Sequence, residues 1–243
     1  MLLRGKRALI FGVANDHSIA WGIAQAFHRE GAGVALSYGA PNLERRVQPL
    51  AESIGAELVV PCDVSRDEDI EAAFATIAQR WDSLDILVHA VAFAQREDLK
   101  NPFLQTSRSG FHLALDISAY SLVALSRAAA PLLGKGAAIV ALTYFGAEKV
   151  IPNYNVMGVA KAALEASVRY LAWDLGPRGV RVNAISAGPV RTLSSAGVSG
   201  FKDMLHHHAE RAPLRANVTL DEVGGAALYL CSCLLYTSDA ADE

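Results

Sequence analysis

Six short apolar segments recur along this chain of 243 residues, and longer segments with a helical spacing of apolar residues lie between them. The apolar segments are nearly continuous rather than alternating, which is typical of strands buried on both faces of a parallel sheet. Parallel strands joined by helices form right-handed βαβ units. The pattern therefore predicts an α/β protein with an open, doubly wound, Rossmann-type sheet, whose strands lie at 7–12, 34–38, 58–62, 86–90, 138–142 and 180–185.

Helices are predicted where apolar residues recur every three or four positions between these strands, at 19–30, 43–54, 70–80, 111–133 and 154–175. A chain of this length fits one large α/β domain or two small ones. No repeat, low-complexity linker or change of composition occurs before residue 230. We therefore expect one domain over residues 1–232. Residues 233–243 form an atypical tail, which we expect to lie outside the fold.

Charge and cysteine content argue against several classes of protein. With 22 Lys and Arg against 25 Asp and Glu, the net charge is −3, whereas binding to nucleic acid needs a dense basic face. Three cysteines are too few for a disulfide scaffold. We find no signal core and no segment that could span a membrane, so we expect a cytoplasmic protein. The run His206-His207-His208 suggests solvated surface rather than a metal site, because adjacent helical residues point in different directions.

The ends of successive predicted strands carry residues that suit a dinucleotide. Gly12 lets the chain turn tightly after the first strand, and Ser18 is placed to cap the next helix, whose N–H groups and dipole favour a pyrophosphate. Ser18 and Ala20 stand where the usual fingerprint has glycines, so an ordinary strand-to-helix turn is an equal alternative. Asp63, after the third strand, either binds an adenine amino group or caps a helix. A dinucleotide accounts for these strand ends together.

The end of the second strand distinguishes NAD from NADP. Residues 38–42 contain neither the acidic residue typical of NAD sites nor a basic residue that would bind the 2′-phosphate of NADP. Arg45 and Arg46 come later, on the next predicted helix, where we expect them to be solvated. The sequence therefore favours NAD.

Tyr154 and Lys161 are the candidate catalytic pair. They lie seven residues apart at the start of the last long predicted helix. At about 100° per residue this spacing is close to two turns, so both side chains would point from one face of the helix toward the ligand crevice. A lysine there would hold ribose hydroxyls and favour a lower pKa for a nearby tyrosine. A tyrosine hydroxyl aimed at a carbonyl oxygen would stabilise an enolate.

The spacing of these residues resembles the short-chain dehydrogenase/reductase superfamily, which has a tyrosine four residues before the lysine and a serine about 13 residues before that tyrosine. Here Met157 occupies the tyrosine position and Tyr144 the serine position, while Tyr154 lies one turn further upstream. The stretch 183–189 also resembles that superfamily. The shifted tyrosine and the Gly12-x5-Ser18 turn, together with the stretches 22–31, 146–158 and 179–192, resemble the bacterial enoyl-[acyl-carrier-protein] reductases, a divergent branch of it. The matching stretches extend from about residue 4 to residue 230.

The resemblance implies the NADH-dependent reduction of a trans-2-enoyl chain carried by acyl carrier protein, a reaction of fatty acid biosynthesis. It implies that Tyr154 donates to the thioester carbonyl with Tyr144 beside the substrate, that Ala94 contacts the acyl group through its backbone, and that Lys161 holds the nicotinamide ribose. A mobile flap would extend over 193–211. The other residues that it places at the cofactor are Gly12, Ser18, Ile19, Gly39, Asp63, Val64, Val91, Val190 and Thr192.

The resemblance also implies a homotetramer and a seventh strand after residue 232. The sequence of 233–243 does not match that strand, so we expect the sheet to lack it. At Gly39, only the backbone is available to grip the adenosine. Two other functions remain open: an ordinary short-chain carbonyl or alcohol dehydrogenase, and a nucleotide-binding protein without turnover.

Overall fold

The structure, a computed structural model, describes residues 1–192 and 200–237. In these residues, six parallel strands form one sheet in the order β3-β2-β1-β4-β5-β6, which confirms the predicted Rossmann-type fold. The strands are β1 (Arg7–Phe11), β2 (Gly33–Tyr38), β3 (Leu58–Pro61), β4 (Leu84–His89), β5 (Leu133–Thr143) and β6 (Arg181–Ser186).

Helices cover both faces of the sheet. The described helices are α1 (Ile19–Arg29), α2 (Glu44–Ser53), α3 (Asp67–Arg80), α4 (Arg96–Lys100), α5 (Arg108–Leu115), α6 (Ser121–Ala129), α7 (Val156–Leu175), α8 (Phe201–Arg211) and α9 (Leu220–Cys231). None of the helices in the described ranges is long and apolar enough to cross a membrane.

Alternate residues of each strand pack into two separate hydrophobic cores, one on each face of the sheet. Ala8 and Ile10 of β1 pack on one side, together with α1, α2 and α9. Leu9 and Phe11 pack on the other side, together with α3, α6 and α7. Because both faces of every central strand are buried, the strands are continuously apolar, and this is the signal that made them recognisable in the sequence.

The predicted helix at 111–133 is wrong in its extent. The helical segment begins at Arg108, widens into a π-helical turn over Asp116–Tyr120 and ends at Ala129. Pro131 has no backbone N–H to continue the helix. The Leu132 N–H donates to the Ala129 carbonyl at 2.8 Å and closes a turn there. Leu133 already belongs to β5, where it pairs with Leu84 of β4.

The end of the described chain continues past α9. Cys233–Thr237 forms a short 3-10 helix, the Leu234 N–H donates to the Ser232 hydroxyl at 3.3 Å, and Leu235 is buried. The division of the chain at residue 232 stays a prediction, and residues 238–243 lie outside the described residues.

Candidate active site

One cavity of about 420 Å³ opens at the carboxyl ends of β1, β4, β5 and β6. This is the edge of the sheet at which doubly wound folds bind ligands. The cavity brings together ten of the residues that the sequence singled out: Gly12, Ser18, Ile19, Val91, Ala94, Tyr144, Tyr154, Lys161, Val190 and Thr192.

Gly12 makes the turn out of β1 possible. Its φ is +101°, in the region that favours glycine, and a Cβ atom there would lie 2.2 Å from the Ala90 carbonyl oxygen. The backbones after β1 and β4 therefore approach each other too closely for any side chain at position 12. The chain then passes along the cavity wall to Ser18 and Ile19 at the start of α1.

The predicted capping role of Ser18 is wrong. Its hydroxyl makes no cap bond to α1. Instead it accepts from the backbone N–H groups of Ala14 and Asn15, both at 3.0 Å, and so holds the loop that follows β1. The first N–H groups of a helix have no partner within it, so α1 presents uncapped donors and the positive end of its dipole to the cavity.

Gly39, Asp63 and Val64 are not among the described residues that line this cavity. They lie further along the same edge of the sheet, just after β2 and β3, where the Cys62 N–H donates to the Tyr38 carbonyl at 2.9 Å. The Asp63 carboxylate accepts from the backbone N–H and the hydroxyl of Ser65, at 3.0 and 2.7 Å. It thus shapes the turn that leads to α3, and the adenosine contact stays a prediction.

Tyr154 reaches the cavity by a route that its spacing did not predict. It precedes α7 rather than lying on it, because Asn155 adopts a φ of +38° and the helix begins at Val156. The Asn155 amide donates to the Leu99 and Asn101 carbonyls at 3.1 and 2.8 Å, which ties this turn to α4. Tyr154 and Lys161 therefore line one cavity, as predicted, but the prediction that both lie on one face of the same helix is wrong.

The ring of Tyr154 lies against Gly146 and Tyr144. A Cβ at Gly146 would be 2.5 Å from Cδ1 of Tyr154, so a side chain there would displace the phenol. The two tyrosine rings meet edge to face, with their centroids 5.0 Å apart. The Tyr144 hydroxyl contacts the Met204 sulfur of α8 at 3.3 Å, which brings α8 to the same end of the cavity.

Burial raises the pKa of Tyr154, and the neighbouring Tyr144 raises it further. The predicted lowering of this pKa by Lys161 is therefore wrong, because loss of solvent sets the direction and disfavours the charged phenolate. Burial also raises the pKa of Tyr144. Both phenols stay protonated at neutral pH and are available as hydrogen-bond donors.

Lys161 lies on α7 and is only 5% exposed. Its ammonium donates to the Leu142 carbonyl, near the end of β5, at 2.6 Å. Burial lowers the pKa of Lys161 to about 8, while the charge of Glu165 acts in the opposite direction. The side chain is thus held in one place in the cavity wall and is still charged at neutral pH.

Sequence reasoning missed several lining residues that no motif marks, among them Ala14, Arg96 and Leu99. Met204, which also lines the cavity, belongs to the predicted flap over 193–211. None of the lining residues in the described ranges is acidic, and two of them, Arg96 and Lys161, are cationic. Together with the N-terminus of α1, these charges favour an anionic ligand.

The histidine run lies on α8. His206 is 3.2 Å from Glu210, and His208 is 3.1 Å from the Asn217 side chain. Of the predicted flap over 193–211, residues 193–199 lie outside the described residues.

A Rossmann-type sheet with a phenol and a buried ammonium at its carboxyl edge defines a nucleotide-dependent oxidoreductase of the short-chain dehydrogenase/reductase class. A model of the family described as enoyl-(acyl carrier protein) reductase matches residues 12–236. The chain belongs to this family, as its sequence predicted.

Relatives and solved structures agree with this assignment. The chain is 53% identical to the enoyl-[acyl-carrier-protein] reductase [NADH] FabI of Aquifex aeolicus, over 95% of this chain and 86% of the relative. A crystal structure of the Aquifex aeolicus reductase superposes with a TM-score of 0.94 at 51% identity, covering 98% of this chain and 94% of that one. The reductase of Anaplasma phagocytophilum in complex with NAD gives a TM-score of 0.93 at 55% identity, covering 96% and 89%.

The residues present fit a nicotinamide dinucleotide. At the glycine turn after β1 no side chain separates a ligand from the backbone. The uncapped start of α1 suits a pyrophosphate, and the Lys161 ammonium suits a ribose diol.

Arg45 and Arg46 of α2 are exposed, in agreement with the prediction that they are solvated.

Proposed function

We propose that this cavity carries out the NADH-dependent reduction of the trans-2 double bond of an enoyl chain held on acyl carrier protein. Family membership gives the reaction as that of an enoyl-[acyl-carrier-protein] reductase in fatty acid biosynthesis. The observation that carries the residue assignments is that Tyr154 and Lys161 line one cavity with the glycine turn and the start of α1. When bound, NADH supplies the hydride that the β-carbon of the enoyl chain accepts.

Lys161 holds the nicotinamide ribose. Its bond to the Leu142 carbonyl uses one of the three protons of the ammonium and leaves two to donate to ribose hydroxyls. Because the side chain is already fixed in the free protein, little rotamer entropy is lost when the nucleotide binds. Gly12, Ser18, Ile19 and Val91 form the wall toward the pyrophosphate and ribose, with Val190 and Thr192 at the nicotinamide end.

Tyr154 stabilises the enolate. Its neutral phenol donates to the thioester carbonyl oxygen, on which negative charge develops when the β-carbon accepts hydride. The α-carbon then takes a proton, and the saturated thioester is complete. The raised pKa suits this role, because a phenol that is still protonated can donate a hydrogen bond throughout the reaction.

The acyl chain would lie on the apolar side of the cavity. Leu99, Val156 and Met157 form a small buried cluster there, against which Ala94 and Tyr154 pack. Tyr144 and Met204 border the same side, so an acyl chain would be shielded from water while its carbonyl faces Tyr154.

The assay that tests this proposal compares two substrates. We expect the chain to oxidise NADH with a trans-2-butenoyl thioester, and to do so much faster than with a ketone or an aldehyde of similar size. NADPH should be the poorer cofactor. Oxidation with the ketone alone would favour the carbonyl dehydrogenase alternative, and NADH binding without any oxidation would favour a nucleotide-binding protein.

We also propose that copies of this chain associate through the outer face of α7, as part of a homotetramer. Tyr170 and Trp173 are 76% and 81% exposed, and with Ala166 and Arg169 they line a shallow groove at helical spacing. Large exposed aromatic side chains on one helix face are typical of an interface.

Trp173→Glu is expected to weaken this association about 100-fold or more, because it places a charge in the centre of an apolar contact. Sedimentation velocity at micromolar concentration should show an oligomer for the wild type and smaller species for the variant. Gln79→Glu adds the same charge on the exposed face of α3 and serves as the control. A wild-type chain that sediments as a monomer, or a variant that sediments like the wild type, would contradict the proposal.

A further inference from the structure

Arg96 is a cation in the cavity to which the reductase chemistry assigns no role. It is the first residue of α4, it is exposed, and it lines the same cavity as Tyr154 and Lys161. It takes part in none of the ion pairs among the described residues.

The position of α4 places Arg96 at the acyl end of the cavity. Asn155, next to Tyr154, donates to the carbonyls of Asp98, Leu99 and Asn101 at 3.3, 3.1 and 2.8 Å. Leu99 packs in the apolar cluster with Met157, beside Tyr154. Arg96 is therefore attached to the wall on which the substrate carbonyl would lie. The pyrophosphate wall is a separate one, formed by the turn after β1 and the start of α1.

An unpaired guanidinium in a cavity whose described lining has no carboxylate is suited to an anion. A trans-2-enoyl thioester is itself uncharged, so the anion must belong to the arm that carries it. Acyl carrier protein and coenzyme A both hold the acyl chain on a pantetheine arm that ends in a phosphate. The planar, two-pronged donor set of arginine matches phosphate oxygens, whereas a lysine offers only a point charge.

We propose that Arg96 binds the phosphate of the phosphopantetheine arm while the acyl chain lies beside Tyr154. This inference rests on the proposed reductase function and adds a second anchor to it. The contact is remote from the reacting carbons and is the same in the ground state and the transition state. It therefore lowers KM and leaves kcat almost unaffected.

The test compares two substrates that differ only in the phosphate: the trans-2-butenoyl thioesters of pantetheine and of 4′-phosphopantetheine. The wild type should prefer the phosphorylated substrate, through KM. Arg96→Gln should reduce the preference, measured as the ratio of the two kcat/KM values, about tenfold, an effect typical of one charge-assisted contact near solvent. Arg96→Lys should retain part of the preference. Lys100→Gln removes a charge from the other end of α4 and should leave the ratio unchanged.

Butenoyl-acyl carrier protein then identifies the source of the phosphate. If Arg96→Gln weakens this substrate by the same factor as the phosphopantetheine thioester, the arm of the carrier is the ligand. A loss with the carrier protein alone would mean that Arg96 contacts the carrier surface and would overturn the proposal. An equal loss with both small thioesters, or no loss, would also overturn it. If the wild type reduces neither small thioester nor butenoyl-acyl carrier protein, the proposed reductase function fails instead.

Discussion

Replacing Lys161 with methionine is expected to weaken NADH binding about 100-fold, because charge-assisted hydrogen bonds to the ribose are lost inside the cavity. Methionine fills a similar volume, so the effect should come from the missing charge rather than from a cavity. Titration of NADH fluorescence measures the dissociation constant. Lys135→Met, which removes an exposed lysine at the opposite end of β5, is the matched control. A dissociation constant within about twofold of the wild type would remove Lys161 from the binding site.

The same variant tests whether Lys161 is the group that makes NADH affinity depend on pH. Burial lowers the pKa of Lys161 from 10.5 to about 8, so the ammonium is present below pH 8 and is lost above it. His89, buried at the end of β4, has a pKa lowered to about 3 by burial and by Lys161, so it is neutral throughout this range. Tyr154 and Tyr144 stay protonated, because burial raises the pKa of both phenols. NADH affinity of the wild type should therefore be flat at neutral pH and fall up to about tenfold per unit above pH 8. The affinity of Lys161→Met should not change over this range.

Tyr154→Phe is expected to reduce kcat by about 10- to 1000-fold and to leave NADH affinity unchanged, because the enolate loses its hydrogen-bond donor while the nucleotide contacts remain. The phenylalanine ring keeps the packing on Gly146 and the edge-to-face contact with Tyr144. Steady-state kinetics with a trans-2-enoyl thioester measure the loss.

The control for this variant is Tyr229→Phe, which removes a phenol hydroxyl from α9, outside the cavity. Its kcat should match the wild type. If Tyr154→Phe also keeps kcat within about twofold of the wild type, then the enolate is stabilised by another group and Tyr154 only shapes the cavity.

The sequence predicted the sheet well because the signal for a buried parallel strand is local. Leu9 and Ile10 point to opposite faces of β1, yet both meet helices, so each strand is an apolar run that can be recognised without any tertiary information. The cavity followed from the same reasoning, since residues after parallel strands meet at one edge of the sheet. The predicted helix boundaries were wrong where single hydrogen bonds determine the residue at which a helix ends. Leu133 belongs to β5 because it pairs with Leu84, a contact 49 residues away in sequence.

Local capping rules failed at the starts of α1 and α7, the two helix N-termini that face the cavity. Ser18 has the residue type and position of a helix cap, but two loop N–H groups compete for its hydroxyl. The left-handed φ of Asn155 depends on its bonds to the carbonyls around α4, which no local pattern reports. The direction of the Tyr154 pKa was mispredicted for a related reason. Spacing locates the lysine charge, but only the fold shows how much solvent the phenol loses.

The most direct measurement follows the fate of deuterium from NADH labelled on its transferable position. After turnover with a trans-2-butenoyl thioester, mass spectrometry and NMR of the product should show a saturated thioester with one deuterium on the β-carbon. That result would establish hydride transfer to the double bond in this cavity. Deuterium on the former carbonyl carbon, in an aldehyde or alcohol product, would contradict the assignment. Recovery of the unlabelled substrate intact would also contradict it.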